Sequence, residues 1–212
     1  TNKMTKFQLD YALKTANLMK EKYPIKYKSL CEKVNLTQEE LDLWKKAADN
    51  MYIPYNDELD LLMQDDQYLY RDPIDIDLIP EEKLPLLNNL HPLNLWRYQV
   101  SKQADIVLLM FLMSHEYSYD MKKKVFDFYE SRTIHDSSLS ASVHSIVASD
   151  IGYFDQAIDY FEQAARMDLD NHHHNTAVGI HAACLGGTWM DVINGFAGLR
   201  TYDNMLHFNP YV

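Results

Sequence analysis

A histidine and a pair of serines precede a run of apolar residues in the hexapeptide His135–Ser140. A serine pair directly before a helical run indicates an N-cap. The first amides of a helix have no partner within the helix and lie at the positive end of its dipole. Hydroxyls, free amides and an imidazole at one point can bind a phosphate or a carboxylate. The alternative is an ordinary capped helix beside a buried histidine, and the hexapeptide alone leaves both readings open.

Composition and charge bound the class of protein. The chain has 212 residues, of which 47% are hydrophobic and 24% charged, as in ordinary globular domains. Its net charge of −11 argues against nucleic acid and anionic membranes as partners, and an anionic ligand therefore needs a local pocket of donors. Cys31 and Cys184 lie far apart in apolar helical contexts, which predicts reduced thiols and a cytoplasmic protein.

The elements that must position these groups are helices. Thr37 and Glu40 form a capping box that opens one of them, and a mostly irregular, acidic insertion occupies residues 53–90. After the insertion, predicted helices that are apolar on nearly all sides alternate with amphipathic ones. The first kind is predicted at Trp96–Ser114, Leu139–Ile151 and 176–199, the last with a break at Gly186-Gly187. A single-layer solenoid would make both members of each pair amphipathic, so we predict an all-α fold with two concentric rings, an α/α barrel.

Parallel inner helices bring the loops that enter them to one mouth of such a barrel. The chain then places a cation, an imidazole, several hydroxyls and a diglycine together, which suits a phosphate and a sugar. The set lacks the carboxylate pair that glycoside hydrolysis normally needs. Each member has another reading: Lys102 can simply extend to the surface, and Gly186-Gly187 can be a helix stop. We interpret the tract 172–174, three histidines, as a loop, and we predict no metal site.

The same residues form ordered motifs. They are Arg97–Asp105, Phe126–Glu130, His135–Ser140, Asp168–Asn171, Gly179–His181, Gly186–Trp189 and Gly195–Arg200. In order and spacing these motifs resemble the family 65 glycoside hydrolases, the inverting phosphorylases of maltose, trehalose, kojibiose, nigerose and related α-glucosides. The resemblance covers the whole chain, weakly in the insertion and densely after Arg97.

The resemblance implies a partial (α/α)6 barrel that contains about the second half of the helical hairpins. It also implies phosphorolysis of a glucose disaccharide, with inversion, to β-glucose 1-phosphate and glucose. Lys102 and Gln103 would hold the sugar hydroxyls. Phosphate would be held by His135, Ser137, Ser138, Gly186 and Gly187. No cofactor is expected besides inorganic phosphate as co-substrate, and a homo-oligomer is expected.

In the family pattern the general acid is a glutamate just upstream of the residue that matches Thr1. We therefore assign no catalytic residue within the chain and expect the isolated chain to be inactive. Residues 1–212 are interpreted as a fragment of a single catalytic domain, without its N-terminal β-sandwich, first barrel helices and C-terminal β-domain. Two alternatives stay open: a family hydrolase of the trehalase type, and a non-catalytic helical binding or association module.

Overall fold

The computed structural model describes residues 1–103, 105–172, 174 and 176–210, apart from the side chains of Asp77 and Glu81. It divides into two compact units, Thr1–Pro54 and Tyr55–Val212. His173 of the histidine tract lies outside the described residues. No helix in the described part is both long enough and apolar enough to cross a membrane.

The first unit consists of three helices, α1 (Asn2–Lys22), α2 (Pro24–Val34) and α3 (Gln38–Asp49). Helix α1 packs against both of the others. The Thr37 half of the predicted capping box is confirmed, because the Thr37 hydroxyl accepts a hydrogen bond from the Glu40 amide at 3.1 Å. That bond satisfies one of the free amides of the first turn and sets the start of α3.

The second unit begins with the irregular insertion, as predicted. A two-residue hairpin of β1 (Tyr55–Asn56) and β2 (Leu61–Leu62) is followed by 3-10 turns and by the short helices α4 (Leu86–Asn89) and α5 (Pro92–Leu95). Buried and half-buried aliphatic side chains hold this segment together. They are Leu86, Leu95, Val100, Ile74, Ile76, Ile79, Leu87 and Ile134.

Longer helices make up the rest of the unit. They are α6 (Asp105–Leu112), α7 (Tyr119–Glu130), α8 (Ser140–Asp150), α9 (Phe154–Ala165) and α10 (Ala182–Met190), with π-helical turns at Asp191–Phe196. Helix α8 packs against all four other helices and the π-helical turns, and most of its side chains are buried. Helix α9 buries only one face, through Ala157, Tyr160 and Ala164. This contrast between an enclosed helix and a one-sided helix confirms the predicted all-α, partial (α/α)6 barrel.

The helix predicted from Trp96 is wrong in its first half. Helix α6 is described from Asp105, because the preceding backbone is extended and pairs with distant segments. The Ser101 amide donates to the Arg132 carbonyl at 2.8 Å, and the Ile134 amide donates to the Ser101 carbonyl at 2.9 Å. These bonds join the segment before α6 to the loop after α7.

A hairpin of β3 (Arg200–Tyr202) and β4 (Met205–His207) follows the last helical turns. Gly198 has a φ of +61°, and a Cβ atom there would collide with the backbone of Asn209. Glycine is therefore required by both the backbone conformation and the close approach of the chain after the hairpin.

Candidate active site

A pocket of about 480 Å³ lies between α6, α8 and α10 in the second unit. Its wall includes Gln103 and Asp105 before and at the start of α6, the first turns of α8, and Gly186, Gly187 and Trp189 of α10. Aliphatic and aromatic side chains form most of the remaining surface, and Asp105 is the only charged side chain among the described lining residues. A ligand in this pocket therefore meets hydroxyl, amide and imidazole groups within apolar walls.

The loop His135–Ser138 leads into α8 with a constrained backbone. His135 has a φ of +50°, in the left-handed region that non-glycine residues rarely adopt. The Asp136 carboxylate accepts a hydrogen bond from the Leu87 amide at 2.8 Å, which attaches the loop to α4. The left-handed turn and this bond together set the direction in which the loop enters the helix.

The predicted N-cap at the serine pair is wrong. The cap position of α8 is Leu139, and no side chain caps this helix. The Ser137 carbonyl instead accepts from the Ser140 amide at 2.9 Å, so the chain already turns before the helix begins. The result for an anion is favourable, because Ser137 and Ser138 stand beside a helix start where no side-chain cap occupies the first-turn amides.

His135 is held by three side chains. Its Nδ1 atom lies 2.9 Å from Ser140 Oγ, and its Nε2 atom lies 3.3 Å from the Tyr160 hydroxyl. Its ring also packs edge-on against His144, with 4.5 Å between centroids. Burial, together with the neighbouring His144, lowers the pKa of His135 to about 3, and burial lowers the pKa of His144 to about 4. Both imidazoles are therefore neutral at pH 7 and can serve a phosphate only as hydrogen-bonding groups.

The diglycine does not break a helix, contrary to the sequence prediction. Helix α10 runs from Ala182 to Met190 through both glycines, whose amides thus belong to the interior of the helix. The reason for Gly187 is a close helix contact: a Cβ atom there would lie 2.5 Å from Ser142 Oγ on α8. A Cβ on Gly186 would meet nothing within 4 Å, so the missing side chain leaves open space in the pocket.

The two residues predicted to hold sugar are separated by their surroundings. Gln103 is half-buried and lines the pocket, whereas Lys102 is exposed on a bend and is not part of the lining. The structure thus brings Gln103, Gly186 and Gly187 to one pocket. His135 reaches the same pocket through Ser140, while Ser137 and Ser138 lie in the adjoining loop outside the described lining.

Four polar residues near this pocket were not predicted as site residues. Ser140 and His144 are one turn apart on α8 and both line it. Tyr160 contacts His135, and Glu130 in turn accepts a hydrogen bond from the Tyr160 hydroxyl. The spacing of Ser140 and His144, at i and i+4, was a usable signal for a shared helix face. The contact of Tyr160 with His135 joins two helical hairpins, and no pattern in the sequence predicts it.

A buried carboxyl lies outside the pocket. Asp191, at the start of the π-helical turns, is fully buried, and both its carboxyl oxygens lack a hydrogen-bond partner among the described residues. Burial raises its pKa to about 8, so the group is mostly protonated at pH 7.

These helices and the pocket between them define part of an (α/α)6-barrel domain. The model of the glycosyl hydrolase family 65 central catalytic domain matches residues 1–190. The chain belongs to this family.

Its relatives include proteins named as disaccharide phosphorylases. The chain is 52% identical to the α,α-trehalose phosphorylase of Thermoanaerobacter brockii and 33% identical to the kojibiose phosphorylase of Halothermothrix orenii. Both matches cover 99% of this chain but only 27% of the relative. A solved structure described as a kojibiose phosphorylase from human microbiome superimposes with a TM-score of 0.89, at 34% identity over 99% of this chain and 27% of that one. The chain thus spans about a quarter of the length of the proteins it matches.

Proposed function

We propose that this chain forms the phosphate-binding and sugar-binding part of an α-glucoside phosphorylase. In that reaction phosphate attacks the anomeric carbon from the face opposite the leaving group, and the products are β-glucose 1-phosphate and glucose. The observation that carries the proposal is the pocket between α6, α8 and α10, which combines an uncapped helix start, serine hydroxyls and the Gln103 side-chain amide in a chain of net charge −11. Such a pocket offers an anion the donors that the overall field does not.

Each predicted residue has a role in this proposal. His135, Ser137, Ser138, Gly186 and Gly187 surround the phosphate, and Lys102 and Gln103 bind the glucose hydroxyls. Gln103 supports its role by lining the pocket. Gly186 would contribute open space for the ligand rather than a free amide, since its amide is used by a hydrogen bond within the helix. Lys102 would turn inward from its exposed bend when a sugar is bound.

We further propose α,α-trehalose as the disaccharide. Two α,α-trehalose phosphorylases are 52% and 45% identical to the chain, whereas kojibiose and maltose phosphorylases are 33% to 35% identical. The matches to these relatives cover between 84% and 100% of this chain.

A chimera tests both parts of the proposal. The segment of the Thermoanaerobacter brockii trehalose phosphorylase that matches this chain would be replaced by residues 1–212, and the purified chimera assayed with trehalose, kojibiose and maltose. We expect phosphate-dependent release of β-glucose 1-phosphate from trehalose above the other two sugars. Ser138→Ala should raise KM for phosphate more than KM for trehalose. A folded chimera that releases glucose at the same rate without phosphate would support a hydrolase and overturn the proposal.

The chain by itself is expected to bind phosphate without cleaving trehalose. Asp105 is the only carboxylate among the described lining residues, and the leaving glucose needs a general acid beside the scissile bond. Formation of β-glucose 1-phosphate by the purified chain would contradict this expectation.

A further inference from the structure

Four side chains form one hydrogen-bonded chain that ends in the pocket. The Tyr160 hydroxyl donates to Glu130 Oε1 at 3.0 Å and lies 3.3 Å from His135 Nε2. On its other side, His135 Nδ1 lies 2.9 Å from Ser140 Oγ. Ser140 is the first residue of α8 and lines the pocket, so this series of hydrogen bonds connects the half-buried Glu130 and the buried Tyr160 to the ligand space.

The direction of every bond in this chain follows from its first member. A tyrosine hydroxyl has one proton, and Tyr160 uses it on the Glu130 carboxylate. Its oxygen can therefore only accept from His135, so Nε2 of His135 carries the hydrogen. The imidazole is neutral because burial lowers its pKa to about 3, and its Nδ1 atom is then an acceptor. Ser140 must donate its own hydroxyl proton to that atom.

His144 adds a second acceptor to the same wall. Its Nδ1 atom lies 2.9 Å from the Ser140 carbonyl, which can only accept, so the hydrogen is on Nδ1. Its Nε2 atom is then a bare acceptor, fully buried and without a partner among the described residues. His144 lines the pocket beside Ser140. An unpaired buried acceptor is unfavourable until a donor reaches it.

We propose that Ser140 presents its oxygen to the pocket only as an acceptor and thereby selects a ligand that carries an O–H donor. This inference rests on the proposed function, and it assigns the donor to the hydroxyl of hydrogen phosphate. Inorganic phosphate keeps a proton at neutral pH, whereas sulfate, of the same shape, has none and would place a lone pair against the Ser140 oxygen. Tyr160 acts as a positioning residue, because it holds the imidazole in the tautomer that receives the serine proton.

The tautomer can be measured without any ligand. Nitrogen-15 NMR of histidine-labelled chain should show His135 protonated at Nε2 and bare at Nδ1. Tyr160→Phe should abolish this preference, since the ring loses its acceptor. Glu130→Gln should preserve it, because an amide oxygen still accepts from the Tyr160 hydroxyl. A hydrogen on Nδ1 of His135 in the unmodified chain would overturn the proposal.

Calorimetric titration with sodium phosphate and sodium sulfate tests the selection itself. We expect phosphate to bind at least about tenfold more tightly than sulfate, the equivalent of one good hydrogen bond. Ser140→Ala should bring the affinities for phosphate and sulfate close together. Tyr160→Phe should narrow the difference between these two affinities, because the Ser140 hydroxyl no longer has to donate to His135 and can donate to sulfate instead. Ser149→Ala is the matched control: it lies on α8, bonds to the Ser145 carbonyl at 2.9 Å, and should leave the ratio unchanged.

The outcomes separate this inference from the proposed function. Equal affinity for phosphate and sulfate in the unmodified chain overturns the selection. Binding of neither anion, with His135 in the expected tautomer, refutes the phosphate site while it supports the hydrogen-bond direction. If Ser140→Ala weakens binding of glucose but spares the anion ratio, the donor is a sugar hydroxyl and the phosphate assignment is overturned.

Discussion

Alanine at the two adjacent glycines of α10 should change stability in opposite directions. In a helix interior, alanine is favoured over glycine by about 1 kcal/mol. At Gly186 nothing lies within 4 Å of the added Cβ, so that preference acts alone. Gly186→Ala is therefore expected to raise the free energy of unfolding by about 1 kcal/mol, or roughly 2–4 °C in Tm for a unit of this size.

At Gly187 a steric term exceeds the helix preference. The added Cβ would lie 2.5 Å from Ser142 Oγ and 2.8 Å from Ser142 Cβ, and contacts of this kind force α8 and α10 apart. Overpacking in a formed interface typically costs about 1–3 kcal/mol. After subtraction of the helix gain, Gly187→Ala should lower the free energy of unfolding by up to about 2 kcal/mol.

Urea unfolding followed by far-ultraviolet circular dichroism measures both changes. The double variant Gly187→Ala with Ser142→Gly removes both close atoms and should recover more stability than the sum of the single changes allows. Gly187→Ala with Ser142→Ala removes only the hydroxyl and should recover little. If Gly187→Ala stabilises the chain as much as Gly186→Ala does, the close contact between α8 and α10 is not present and the reasoning fails.

Three further substitutions test other parts of the structure. The pKa of Asp191 rises from about 3.9 when unfolded to about 8 when folded, so the folded state binds the extra proton and loses stability as pH rises from 4 to 8. Asp191→Asn should therefore be more stable than the unmodified chain by up to about 4 kcal/mol at pH 7 and equally stable near pH 4. Parallel pH profiles of the unfolding free energy for the two proteins would contradict this. The buried Tyr129 hydroxyl accepts a hydrogen bond from the Gln64 amide at 2.8 Å and donates one to the Leu62 carbonyl at 2.9 Å. Tyr129→Phe removes both bonds and should lower the free energy of unfolding by about 2 kcal/mol and speed hydrogen exchange at the Gln64 amide. Unchanged exchange at Gln64 would show that these bonds do not hold the segment in place. Thr37→Ala removes the side-chain cap of α3 and should cost about 1 kcal/mol in urea unfolding, an effect that Thr37→Ser should largely avoid; equal loss in both would show that the hydroxyl is not the cause.

Helix existence could be predicted from the sequence where periodicity and caps agree. Helix α8 lies within one residue of its predicted range, Leu139–Ile151, at each end, because its apolar spacing reflects the packing that stabilises it. The capping box of α3 was predictable because it is a local bond. The start of α6 was not, because Ser101 pairs with Arg132, far along the chain, and local pattern carries no record of that pairing.

The diglycine shows why the candidate site was predicted only in part. Two consecutive glycines usually indicate a break, yet here one of them makes room for α8 and the other leaves space in the pocket. The types of residue around the pocket could be predicted, as Gln103 and Gly186 show. The serine cap was mislocated, and the roles of Ser140 and Tyr160 depend on contacts between hairpins that only the folded chain contains.

The enclosure of α8 has a consequence for the order of synthesis. Its neighbours α6 and α7 precede it on the ribosome, but α9, α10 and the π-helical turns that cover its remaining sides are made later. Until residue 196 has left the exit tunnel, part of this apolar helix has nothing of its own unit to pack against. The second unit therefore completes its core late, and between the emergence of α8 and that of residue 196 the nascent chain exposes apolar surface that favours aggregation.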